Sequence, residues 1–132
     1  MTTPSRTRLA IMLAVTIALG LGSRARGLPA AVHLYVGDVL WGVMWVLLLA
    51  LARPQTPRRW LLLGGLAIGW GIELSQLIDH PTLHAIRQTR PGALLLGRGF
   101  LWSDMVCVGL GVVLGVGLSS PPAPRGPRRC SL

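Results

Sequence analysis

The sequence predicts an all-α protein built as a four-helix transmembrane bundle. Three observations predict it. The chain of 132 residues is 52% hydrophobic and only 13% charged, with a mean hydropathy of +0.59. That is too apolar and too charge-poor for an ordinary soluble domain of this size. The apolar residues come in long runs without the polar face of an amphipathic helix, which is the pattern of membrane spans rather than of a soluble core. The arginines fall in short segments flanking those runs.

Residues 1–8 form a short cytoplasmic lead containing Arg6 and Arg8. The four-span membrane domain covers residues 9–118. Its first apolar run, 9–22, is short for a span of ~20 residues. A basic start with a short apolar region, followed by small residues at Ser23 and Ala25, also fits a secretory signal peptide. The apolar character of everything downstream favours a retained helix over residues 8–23. Gly27 and Pro29 then break the chain.

The second span covers residues 31–52. Asp38 lies near its start, with Trp41 and Trp45 on the same helical side. Residues 53–59, RPQTPRR, make a polar turn. The third span covers residues 60–79, with Gly65, Gly69, Glu73, Gln76 and His80 in one stripe. Small residues there let another helix approach closely. Pro81 ends the helix by disfavouring helical geometry at His80. The connection that follows holds a short interfacial helix around 83–89, and residues 94–96 dip toward the bilayer. The fourth span covers residues 100–118. Asp104, Cys107, Gly111 and Gly115 share a face, the last two in a G-x-x-x-G step. Residues 119–132, SSPPAPRGPRRCSL, have almost nothing to bury and read as a disordered cytoplasmic tail.

The formal net charge is +9, and all 13 basic residues are Arg. No basic helix with interleaved aromatics is present, so the charge reads as topology rather than nucleic-acid binding. Four spans put both termini on one side with Arg6, Arg8, Arg53, Arg58, Arg59, Arg125, Arg128 and Arg129. Arg24, Arg26, Arg87, Arg90 and Arg98 fall on the other side. Counting basic residues makes the termini cytoplasmic, in a multi-pass protein of the bacterial cytoplasmic membrane.

Only four acids exist, Asp38, Glu73, Asp79 and Asp104, and the span directions bring all four toward the leaflet with fewer arginines. Carboxylates in apolar helices are costly and have partners or a task. Two readings stand. Either they are structural ion pairs, such as Arg24 or Arg87 with Asp38 or Asp104, or Asp38, Glu73, Gln76 and Asp104 converge on a polar pocket. Asp79 reads as a solvated interfacial charge. Glu73-x-x-Gln76 sets a carboxylate and an amide on one face, where a desolvated carboxylate can exchange a proton. His80 and His84 are separated by Pro81, so no metal site is expected, and Cys107 reads as a packing residue. No phosphate-binding loop, nucleophile elbow or zinc motif occurs, and no cofactor is expected.

Four motifs carry a resemblance. Gly37-Asp38-Val39-Leu40-Trp41, Ile72-Glu73-Leu74-Ser75-Gln76-Leu77, Ile86-Arg87-x-Thr89, and Leu95-Leu96-Gly97-x-Gly99-Phe100-x-Trp102-Ser103-Asp104 occur in order. They resemble the bacterial family catalogued as domain of unknown function 2809, over about residues 9–118. The resemblance implies a small multi-span membrane protein and no assigned activity. A fainter similarity is to VanZ-like membrane proteins, some linked to glycopeptide resistance. Glu73, Gln76, Arg87 and Asp104 match that pattern, while Val108 stands where VanZ-like proteins usually carry Asn.

The site residues expected are therefore Arg24, Asp38, Glu73, Gln76, Arg87 and Asp104. Three functions stay open. One is binding of a lipid or cell-wall precursor head group, since arginine suits phosphate. Another is a small enzyme or proton-coupled transporter using Glu73 and Asp104. The third is a structural partner of a membrane complex, using the glycine faces of the third and fourth spans.

Overall fold

The computed structural model describes residues 4–97 and 99–120. Arg98 and most of the tail expected to be disordered, with Arg125, Arg128 and Arg129, lie outside the described residues. The described chain is all-helical. Four long helices, α1 (Arg6–Gly22), α2 (Gly37–Ala52), α3 (Arg58–Ser75) and α6 (Trp102–Ser119), are joined by two short ones, α4 (Pro81–Gln88) and α5 (Arg90–Leu96).

Local chemistry sets most of the ends. Ser5 caps α1 by accepting the Arg8 amide at 3.2 Å. The Ser23 hydroxyl closes its far end on the Gly20 carbonyl at 2.8 Å. A widened π-helical turn, Val32–Val36, leads without a break into α2, making one helix of 21 residues. Such turns are rare and often lie beside functional positions; here the turn ends two residues before Asp38. His80 caps α4 through Nδ1, which accepts the Thr82 amide at 3.2 Å, with Pro81 in the first turn. Thr89 caps α5 by accepting the Gly92 amide at 3.1 Å.

The packing is organised on α2, which touches α1, α3 and α6 and has its largest interface with α6. Leu9, Val43, Val46, Leu47, Val108 and Val112 form the core. Glycines allow the close approach. A Cβ on Gly42 would collide with the Val108 carbonyl, and one on Gly111 with the Val39 carbonyl. Gly65 and Gly69 receive the side chains of Val46, Val112 and Val108. At the far end of the bundle, Arg8 donates to the Leu118 carbonyl at 3.1 Å and the Ser120 carbonyl at 3.3 Å. These groups lie at the C-terminus of α6, where carbonyls lack helical partners and a cation is favoured.

The outer surface is apolar. Ile11, Val15, Leu63, Val106, Leu110 and Val113 are each more than half exposed. A continuous apolar exterior of this kind marks contact with another phase or partner. Two helices are long and apolar enough to cross a membrane: residues Val32–Ala52, of hydropathy 2.0, and Trp102–Ser119, of hydropathy 1.6.

Two boundaries differ from expectation. The third helix ends at Ser75, not at residue 79, and Gln76 is its cap. Its last turn tightens, so that Gln76, Leu77 and Ile78 each bond three residues back, to Glu73, Leu74 and Ser75. The buried stripe is therefore Leu61, Gly65, Gly69 and Glu73, and His80 does not continue it. The last helix starts at Trp102 rather than residue 100, after Leu101 in extended conformation. The connection between them folds into two short helices, where one helix and an apolar dip were expected.

Candidate functional site

A cleft of about 1050 Å³ opens at one end of the bundle. Residues from all four long helices or their ends, the π-helical turn and α5 line it. Arg24 comes from just beyond α1, and His33 from the π-helical turn. Asp38 comes from the first turn of α2, Glu73 and Gln76 from the end of α3, and Asp104 from the first turn of α6. Helix α5 forms a wall with Arg90, Ala93 and Leu94. Antiparallel packing explains the convergence: the starts of α2 and α6 lie beside the ends of α1 and α3.

Glu73 is the most enclosed of the charged groups, only 5% exposed. The Gln76 amide Nε2 donates to its Oε2 at 2.8 Å. That bond orients the amide, so the other end of Gln76 must be the carbonyl oxygen. Gln76 Oε1 is closed to solvent and has no donor among the described residues. An orphaned buried acceptor of this kind calls for a partner. Gly97 presses on the same amide. It has a positive φ of 69°, and a Cβ there would lie 2.5 Å from Gln76 Nε2. Asp38 and Asp104 are half-buried and line the same cleft. Ser103 Oγ donates to Asp104 Oδ1 at 3.2 Å. Cys107, one turn farther into α6, is buried and unpaired.

The charges are layered. Among the described residues, the Glu73 carboxyl is buried and those of Asp38 and Asp104 are half-buried, while Arg24 and Arg90 are exposed. Such a cleft suits a ligand that carries positive charge at one end and negative charge beside it. Among the described residues, no group of three or more His, Cys, Asp and Glu is placed to hold a metal ion.

Five of the six residues expected from sequence therefore line one cleft: Arg24, Asp38, Glu73, Gln76 and Asp104. Arg87 does not. Its Nη2 donates to the Ser75 carbonyl at 2.6 Å, and it lines a neighbouring hollow with Asp79 and His84 that shares Gln76 with the cleft. Arg90 takes the place in the cleft that was expected of Arg87. The signal that distinguishes them is the capping pattern: Thr89 ends α4 and begins α5, so Arg90 belongs to the helix that forms the cleft wall.

The family described as Protein of unknown function (DUF2809) matches residues 27–112, a stretch that includes Asp38, Glu73, Gln76, Arg87, Arg90 and Asp104. The chain belongs to that family. No solved structure matches it.

Proposed function

We propose that this member of the DUF2809 family is a four-span protein of the bacterial cytoplasmic membrane that holds a lipid or lipid-linked cell-wall precursor head group in its polar cleft. The observation that carries this reading is the cleft of Asp38, Glu73, Gln76 and Asp104, rimmed by Arg24 and Arg90, at one end of a bundle whose outer surface is apolar. Lipid tails solvate such a surface, and intramembrane acids are functional by default. The count of arginines in the connections favours cytoplasmic termini, so the cleft opens toward the outer leaflet. At the rim, guanidinium groups suit a phosphate.

Two measurements test the reading. In a background with Cys107→Ala and Cys130→Ser, single cysteines at Arg58 and Arg90 are labelled in intact cells with an impermeant reagent. Labelling at position 90 alone is expected, and labelling at 58 alone overturns the orientation. Phosphorus that copurifies with the protein is then compared with that of the Arg24→Gln/Arg90→Gln double variant. Equal amounts would remove the head-group reading.

The gathering of Asp38, Glu73 and Asp104 in one cleft favours a second reading, a proton-coupled transporter, because intramembrane carboxyl groups form proton relays. Flux driven by a pH gradient in vesicles, abolished by Asp104→Asn, would support it. The third option, a structural partner docked on glycine faces, has lost its surface. Gly65, Gly69, Gly111 and Gly115 are all occupied by the protein's own helices.

A further inference from the structure

We infer that the cleft's ligand is a phospholipid with a primary-ammonium head group, its ammonium among Glu73, Asp38 and Asp104, its phosphate between Arg24 and Arg90, and an acyl chain leaving between α1 and α2. This rests on the head-group reading and narrows it. Three independent features converge on it.

The first is the layering of charge. A head group that is only anionic would face three carboxyl groups once past the rim, and a simple cation would have no use for Arg24 and Arg90. A zwitterion entering ammonium-first matches both layers. A diphosphate-linked precursor, with two anionic groups, matches worse than a single phosphate next to an amine.

The second is the set of acceptors. Asp38, Glu73 and Asp104 bring carboxyl oxygens to the cleft, and the Gln76 Nε2 amide serves only one of those of Glu73. A primary ammonium has three N–H donors for the rest. A quaternary ammonium has none. The cleft therefore distinguishes ethanolamine from choline by hydrogen bonding, not by charge.

The third is an apolar groove between α1 and α2, about 90 Å³ in volume, lined by Ile17, Gly20, Leu40 and Trp41. It shares Arg24 and Leu94 with the polar cleft. The slot thus begins at the guanidinium assigned to the phosphate, where the first methylenes of an acyl chain would start. Thr16, the hydroxyl in that wall, already spends its one donor on the Met12 carbonyl at 2.7 Å.

The test uses the full-length protein in nanodiscs with equal parts phosphatidylethanolamine, phosphatidylcholine and phosphatidylglycerol, with retained lipid read by native mass spectrometry. Phosphatidylethanolamine should exceed each of the others by about tenfold, the scale of one or two charge-assisted hydrogen bonds. Retention should fall stepwise along the mono-, di- and trimethylated ethanolamine series, which needs no variant and so cannot fail through misfolding. Glu73→Gln with Asp104→Asn should erase the preference for ethanolamine over choline. Gly20→Leu, whose side chain would enter the groove toward Leu40, should weaken the intact lipid several-fold. The same variant should leave binding of deacylated glycerophosphoethanolamine unchanged. Equal retention across the methylated series overturns the ammonium assignment. Preferential phosphatidylglycerol, lost on Arg24→Gln/Arg90→Gln, overturns it too but leaves the head-group reading standing. Loss of all selectivity, with no effect of any variant, ends both. Glycerophosphoethanolamine binding as tightly as the lipid overturns the acyl groove.

Discussion

Arg87 donates through Nη2 to the carbonyl of Ser75 at 2.6 Å, closing the C-terminus of α3 from twelve residues farther along the chain. Ser75 is the last residue of that helix, and its carbonyl also accepts the Ile78 amide at 3.1 Å. The bond holds the polar connection against the helix end and leaves Arg90, not Arg87, to face the cleft. Arg87→Gln should therefore lower stability by about 1.5–3 kcal/mol, the scale of a hydrogen bond to a charged group. Thermal unfolding in detergent reads it. Copurified lipid should be unchanged in the fraction that remains folded, and a loss of lipid without a loss of stability would return Arg87 to the site.

Gly42 and Gly111 let the backbones of α2 and α6 meet. Gly111→Ala puts a methyl group against the Val39 carbonyl, where only main-chain movement relieves it. The expected cost is about 1–3 kcal/mol or more, as for other overpacked contacts. Gly117 is the internal control. Nothing lies within 4 Å of a Cβ there, so Gly117→Ala should be neutral or stabilising by up to about 1 kcal/mol through helix propensity. Equal unfolding temperatures for the two variants would mean that the α2–α6 crossing is looser than described.

Gly97 bears on function rather than on the core. Its left-handed backbone and its contact with the Gln76 amide both exclude a side chain. Gly97→Ala should displace Gln76 from Glu73 and reduce head-group selectivity several-fold, with helix content preserved by circular dichroism. A variant with wild-type lipid selectivity would show that the amide's position is not used.

Arg8 ties the start of α1 to the end of α6 through two carbonyls. Arg8→Gln should cost about 0.3–1 kcal/mol, since the group is half-buried and acts on a helix terminus. Hydrogen exchange should rise in the last turn of α6 and nowhere near the cleft. Increased exchange around Asp38 or Asp104 would contradict the separation of the two ends.

Much of this was legible in residue order. Unbroken apolar runs located the four long helices, because hydropathy and the helical repeat are local properties. The alternation of helix direction brought Asp38, Glu73 and Asp104 to one end, and the i, i+4 spacing of Gly65, Gly69 and Glu73 marked the inward face of α3. Gly111 and Gly115 were readable as a contact surface for the same reason.

Other features required the folded chain. Arg87 and Arg90 are three residues apart in one polar connection, and nothing in their spacing says which reaches inward. That depends on where Thr89 turns the backbone between two short helices. The guanidinium that reaches the Ser75 carbonyl at the early end of α3 likewise arrives from the next connection. The apolar groove meets the polar cleft at Arg24 because α1 lies against α2, a contact between separate runs that neither run specifies alone. Local pattern determined the helices and the end at which their charges gather, whereas the partner of each polar atom was decided by the path of the chain, since a hydrogen bond forms only between groups that folding brings within about 3 Å.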